Sequence, residues 1–149
     1  MKLKSKLLFF IVLFLIACQT QDKNFNKLSH FVERITGNNK IDNYKYVFVI
    51  TDIGCSGCNS IFARMALNHI KDDSALFLIS AGGNVFDISC FVNKKRDNVY
   101  IISNEDFIKL PLLKKSGVIF VKENNIDTIY EVKYKNLKND LKKIENIIK

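Results

Sequence analysis

The chain has 149 residues, 48% of them hydrophobic, with one proline and no tryptophan, a size and apolarity that fit one domain with a buried core and exclude a disordered chain. Its formal charge is +8, yet the lysines are dispersed (Lys94, Lys95, Lys114, Lys115, Lys138, Lys142, Lys143) without aromatic interleaving or a recognition motif, so no nucleic-acid partner is expected. A solvated surface that tolerates anionic lipid headgroups accounts for the excess of positive charge.

The first element is an unbroken apolar run from Leu7 to Ala17, preceded by Lys2, Lys4 and Lys6. A transmembrane helix needs about 20 apolar residues, so this run reads as a cleavable export signal over residues 1–17. The tetrad Leu15-Ile16-Ala17-Cys18 resembles the lipobox of bacterial lipoproteins, in which a small residue precedes a cysteine that is lipidated and becomes the first residue. The resemblance implies a diacylglycerol on the Cys18 thiol and often a third acyl chain on the new amine, enough for stable anchoring. It also implies a lipidated tether over residues 18–24 and a place in the cell envelope. Gln19 after the cysteine points, by the same resemblance, to the outer membrane facing the periplasm if the cell is Gram-negative. Removing Lys2, Lys4 and Lys6 lowers the charge of +8 by three, to +5.

Beyond the tether, Phe25, Leu28, Phe31, Val32 and Ile35 recur at helical spacing up to Gly37. Two runs, Tyr46 to Thr51 and Ala75 to Ser80, are apolar on consecutive residues, as in strands covered on both faces. Between them a helix starting near Ser56 places Cys58, Ile61, Phe62, Met65 and His69 on one face, widened by Leu67 and Ile70. A short helical stretch, Val85 to Val92, precedes a strand at Val99 to Ile102. Strands alternating with helices imply parallel crossovers. Then Val118 to Val121, a polar turn at Lys122 to Asn125, and the alternating Thr128, Tyr130, Val132, Tyr134 predict an antiparallel hairpin. Leu137, Leu141, Ile144 and Ile148 stripe a C-terminal helix that Asn136 is placed to cap.

This order of elements, with Cys55-Ser56-Gly57-Cys58 where the first strand enters its helix, resembles the thioredoxin-like fold. The export signal and the additional strand at Asn98 to Ile102 make the chain most similar to the TlpA/ResA-like extracytoplasmic redoxins. The expected fold is therefore α/β: a central mixed sheet flanked by helices, ending in a β-hairpin and a C-terminal helix, over residues 25–149. The expected function is that of a membrane-anchored thiol-disulfide oxidoreductase acting on protein thiols or disulfides, with a membrane electron donor and no cofactor or resident metal. Cys55 at the helix start has the helix amides and dipole to favour its thiolate. A free thiol titrates near 8.5, and such a position can bring it to about 7 or below. Cys55 is then the nucleophile, and Cys58, nearly one turn on, the resolving thiol.

The sequence departs from that family in three places. Gly54 stands where an aromatic residue usually precedes the first cysteine. Ser116-Gly117-Val118 stands where the family has a cis-proline, and Pro111 falls several residues too early. The strand before the motif offers Val49 and its neighbours instead of a buried acid, and Asp52 and Glu105, the nearest carboxylates, are expected in loops. Cys90 follows Phe86 at helical spacing and is expected to pack in the core rather than act as a third redox thiol. His30 is expected at the surface. His69, eleven residues beyond Cys58 and so about 16 Å away along a helix, does not share a metal with it. Two alternative functions stay open: a soft-metal lipoprotein holding an ion such as Cu(I) between two thiolates, and a binding module with a structural disulfide, which an oxidising compartment permits.

Overall fold

A computed structural model describes residues 22–37, 39–80, 88–93 and 96–149. The residues expected to form the export signal (1–17), Cys18, most of the expected tether and the start of the stretch Val85 to Val92 lie outside the described residues. Among them the chain runs α1 (Lys23–Thr36), a 3₁₀ turn (Ile41–Asn43), β1 (Tyr46–Thr51), α2 (Ser56–Leu67), β2 (Ala75–Ser80), α3 (Ser89–Val92), β3 (Val99–Ile101), α4 (Asn104–Lys109), β4 (Gly117–Lys122), β5 (Asn125–Glu131), a second 3₁₀ turn (Tyr134–Asn136) and α5 (Leu137–Ile148).

The five strands form one mixed sheet in the order β3-β2-β1-β4-β5. β1 pairs in parallel with β2, and β2 with β3, while β4 lies antiparallel to β1 and β5 antiparallel to β4. This is the expected α/β architecture with its terminal hairpin and helix. Every residue of β1 and β2 is buried, which explains why both strands read as continuous apolar runs.

Alternating residues divide the core between the two faces of the sheet. On one face Phe48, Ile50, Phe77 and Ile79 meet Cys58 and Phe62 of α2, Phe91 of α3 and Ile144 of α5. On the other Val47, Val49, Leu76 and Leu78 meet Phe25, Leu28 and Phe31 of α1 and Phe107 of α4. Phe48 stacks on Phe77 with ring centroids 5.0 Å apart, near the close end of aromatic pairing. Phe48, Phe77 and Phe120 are core residues. On the second face, Arg34 of α1 bonds Asp106 of α4 at 2.7 Å, and that hydrogen bond holds the Asp106 carboxyl below the usual carboxylate range.

Several expectations are corrected. Within the stretch 18–24 expected as a tether, α1 begins at Lys23, because the Asp22 carboxylate accepts the Asn24 amide at 2.9 Å and caps it. The α2 helix stops at Leu67, so His69 lies in the turn beyond it, stacked 5.9 Å from Phe48. Ile61, assigned to the buried face of α2, is 48% exposed. Glu105 belongs to α4, an unpredicted helix capped by Ser103, whose hydroxyl accepts the Asp106 amide at 3.0 Å. Cys90 is exposed, not packed in the core: in the single turn of α3 it is Phe91 that turns inward. Asn136 opens α5, but its side chain makes no capping bond there. The hairpin turn narrows to Glu123 and Asn124, both in the left-handed region with φ of 50° and 59°, the geometry of a two-residue turn matched to strand twist.

Burial lowers the affinity of His69 for a proton, against a smaller opposing effect from Glu145 on α5. The folded state thus binds the proton less well than the unfolded chain. Its contribution to stability is present above the unfolded value near 6.5 and is lost as pH falls through the lower folded value. Urea unfolding midpoints of His69→Phe, which keeps a ring against Phe48, should fall less between about pH 7 and pH 5 than those of the parent. Parallel pH dependences would show that His69 does not contribute.

Candidate redox site

At the C-terminal end of β1 the chain leaves the sheet through Asp52, Ile53 and Gly54 and turns into α2. Three hydrogen bonds shape this loop. The Thr51 hydroxyl accepts the Ile53 amide at 3.2 Å, the Asp52 amide donates to the Ser80 carbonyl at 3.3 Å, and the Asn59 side-chain amide reaches back to the Ile53 carbonyl at 3.2 Å. Asn59 is 3% exposed, so a buried polar side chain on the first turns of α2 fixes the loop that precedes it. Gly54 has φ +101°, a backbone region that L side chains rarely adopt. The missing aromatic residue before Cys55 therefore has a conformational cause.

Cys55 is the N-cap of α2, and its sulfur accepts the Cys58 backbone N–H at 3.4 Å. The two cysteines form a disulfide with Cα atoms 5.3 Å apart, within the range that such a bridge requires. Their environments differ: Cys55 is exposed, whereas Cys58 is 3% exposed and packs into the core with Phe62. The first turn of α2 carries no acidic residue, so no carboxylate of that turn offsets the positive end of the helix at Cys55. One sulfur is open to an approaching disulfide or thiolate, and the other can be reached only through its partner.

The segment entering β4 closes the site from the other side. Ser116 is fully buried, and its hydroxyl accepts the Thr51 amide at 3.0 Å and donates to the Thr51 carbonyl at 3.1 Å. The Ser116 carbonyl in turn accepts the Val132 amide at 2.8 Å. No cis peptide bond occurs among the described residues. At Gly117 a Cβ would stand 2.2 Å from the Tyr130 carbonyl oxygen, so only glycine lets β4 and β5 approach this closely. Lys115 lies alongside the motif, with its Cδ 3.8 Å from where a Cβ on Gly54 would stand. Pro111 follows the end of α4, a position where proline commonly stops a helix.

Of the residues singled out in the sequence, the structure brings Cys55 and Cys58 together in a disulfide. Asp52 is in the loop, as expected. His30 is exposed on α1. Among the described residues no group of three or more His, Cys, Asp or Glu is gathered to hold a metal ion. The hydrogen-bonding roles of Asn59, Thr51 and Ser116 were not legible in the sequence, since a polar residue carries no sign there of its partner.

Ser116→Ala removes one hydroxyl and strands both a buried donor and a buried acceptor on Thr51. The expected loss is about 2 kcal/mol of unfolding free energy, read as a lower urea midpoint at unchanged slope; a loss within about 0.5 kcal/mol, the level of an inconsequential substitution, would show that the clamp is not needed. Compared with family models, curated proteins and solved structures, the chain matches none of them, so its chemistry has to be read from its own residues.

Proposed function

We propose that this chain is an envelope-anchored thiol-disulfide oxidoreductase of the thioredoxin-like kind, with Cys55 as nucleophile and Cys58 as resolving thiol. The observation that carries this reading is the asymmetry of the bridge: an exposed sulfur at the N-cap of a helix, joined to a sulfur buried in the core. A disulfide serving only as a staple has no need of one open sulfur at a helix start. The strand order and the position of the pair between β1 and α2 are compatible with the same reading.

In the reducing direction, the Cys55 thiolate attacks one sulfur of a substrate protein disulfide. A mixed disulfide forms, and the other substrate sulfur leaves as a thiolate that takes a proton from water. Cys58 loses its proton to solvent and attacks the Cys55 sulfur, releasing the second substrate thiolate and leaving the Cys55-Cys58 bridge. Two electrons have passed to the substrate, and a membrane dithiol donor restores the reduced pair.

The anchor belongs to the same proposal. Between Cys18 and the helix cap at Asp22 the chain extends by at most about 14 Å, which would hold the domain close to the bilayer and within reach of a membrane donor. Two or more acyl chains on Cys18 make that attachment stable.

Equilibration of the full chain in detergent with glutathione buffers, followed by alkylation and mass analysis, tests the chemistry. A reversible Cys55-Cys58 couple above about −300 mV supports it, whereas a bridge that resists reduction below that value leaves a structural disulfide. Cys58→Ser should accumulate mixed disulfides with protein thiols at Cys55, and Cys55→Ser should accumulate none. The anchor is tested separately: Cys18→Ser should abolish incorporation of labelled fatty acid and release the chain from membranes, and retained labelling would reject Cys18 as the lipidated residue.

A further inference from the structure

Gly54 lacks a side chain, and the aliphatic stem of Lys115 runs beside it, with Cδ 3.8 Å from where a Cβ would be. The ammonium, two bonds beyond that carbon, is within reach of the neighbouring Cys55. The backbone carrying this lysine is not loosely placed. Lys115 leads directly into Ser116, whose hydroxyl is bonded to both the amide and the carbonyl of Thr51, at the root of the loop that delivers the cysteine. The adjacent Lys114 is committed elsewhere, its ammonium donating to the carbonyls of Ile108 at 3.1 Å and Leu110 at 3.3 Å. Lys115 is exposed.

The geometry points to Lys115 as the cation that stabilises the Cys55 thiolate when the bridge is reduced, a positioning residue that acts on the redox pair through space. The inference rests on the oxidoreductase reading for its purpose, but not for its measurement. Among the described residues, other charges near Cys55 come from its own loop, α2 and β5. The positive end of α2 acts with the same sign. Asp52, on the same loop, acts with the opposite sign. Glu131 of β5 is turned to the Lys114 amide at 3.4 Å, and Arg64 lies more than two turns along α2, farther off than a Debye length at physiological salt. Among the described residues, Lys115 is the cation whose side chain runs beside Gly54, next to Cys55. Its effect on the chemistry follows directly. A stabilised thiolate at Cys55 is present at lower pH and leaves more readily when Cys58 attacks.

The test is the pH profile of alkylation at Cys55, located by mass spectrometry, in the full reduced chain. One ammonium about 7 Å from a thiolate in a water-like medium shifts the titration by about half a unit. Lys115→Gln should therefore raise the midpoint by about half a unit, and Lys115→Glu by about twice as much. In the acid limb, Lys115→Gln should react about threefold more slowly than the parent. Lys115→Arg should keep the parent midpoint, and about 1 M salt should shrink the difference between Lys115→Gln and the parent. A Lys115→Gln profile that coincides with the parent at low salt overturns the inference. So does a shift that survives high salt and is shared by Lys115→Arg, since that would be packing and not charge. The profile is read on reduced thiols, so it stands or falls independently of whether the bridge exchanges with glutathione.

Discussion

β1 is buried on both faces and flanked on both edges, and this constraint governs what surrounds it. A strand in that position must have every backbone polar group paired, since an orphaned buried amide or carbonyl costs about as much as a lost hydrogen bond. Over most of its length β2 and β4 satisfy it. The antiparallel ladder with β4, however, ends at the pair Val49 and Gly117, two residues short of Thr51. The Ser116 hydroxyl, at once donor and acceptor, supplies both missing partners. A proline in that place would offer neither. The serine and the full burial of Thr51 are one solution to one problem, and the loop bearing Cys55 starts from the point they fix.

That fixed point also accounts for the unlike surroundings of the two sulfurs. β1 ends at the rim of the sheet, where the chain must rise out of the core before α2 can pack back onto it. Gly54 makes the turn with a positive φ, Asn59 ties the loop down from inside the helix, and Cys55 emerges at the cap. Helix geometry then carries residue 58 round to the inner face, into the cluster with Phe62. A two-residue spacing at a helix start that faces a sheet gives one outer and one inner thiol without further adjustment.

How far this could be read in the sequence depended on the kind of signal. β1 and β2 announced themselves because burial on both faces leaves consecutive apolar residues, and α1 and α5 because one-sided burial leaves a helical stripe. The α4 helix was missed because among its residues only Phe107 is fully buried, too little for a period; its readable sign was Ser103 followed by Glu105 and Asp106, a cap with acids in the first turn. Ile61 misled because it adjoins Phe62 and is apolar, while α2 presents just one of the two to the sheet. Cys90 misled through its helical spacing from Phe86, whereas the single turn of α3 buries Phe91 instead. The pair Cys55 and Cys58 was legible because its spacing and its strand-to-helix setting are both local. Ser116, Asn59 and Lys115 act across the fold, on residues 65, 6 and 61 positions away, or within a turn whose shape had first to be known.

The departures from the thioredoxin-like pattern are coupled to one another. A positive φ at Gly54 removes the side chain that would otherwise stand before the first cysteine, and the Lys115 stem runs through the space beside it. Lys115 can lie there because Ser116 draws its backbone onto Thr51. Ser116 can do so because Gly117 lets β5 come close enough for the Val132 amide to take up the Ser116 carbonyl. Introducing one residue of that pattern alone would break a contact that another depends on: an aromatic residue at position 54 would be strained and crowd the lysine, and a proline at position 116 would leave Thr51 unpaired. The site is thus a self-consistent arrangement in which a serine clamp and a glycine turn depend on each other, with the Lys115 stem beside them.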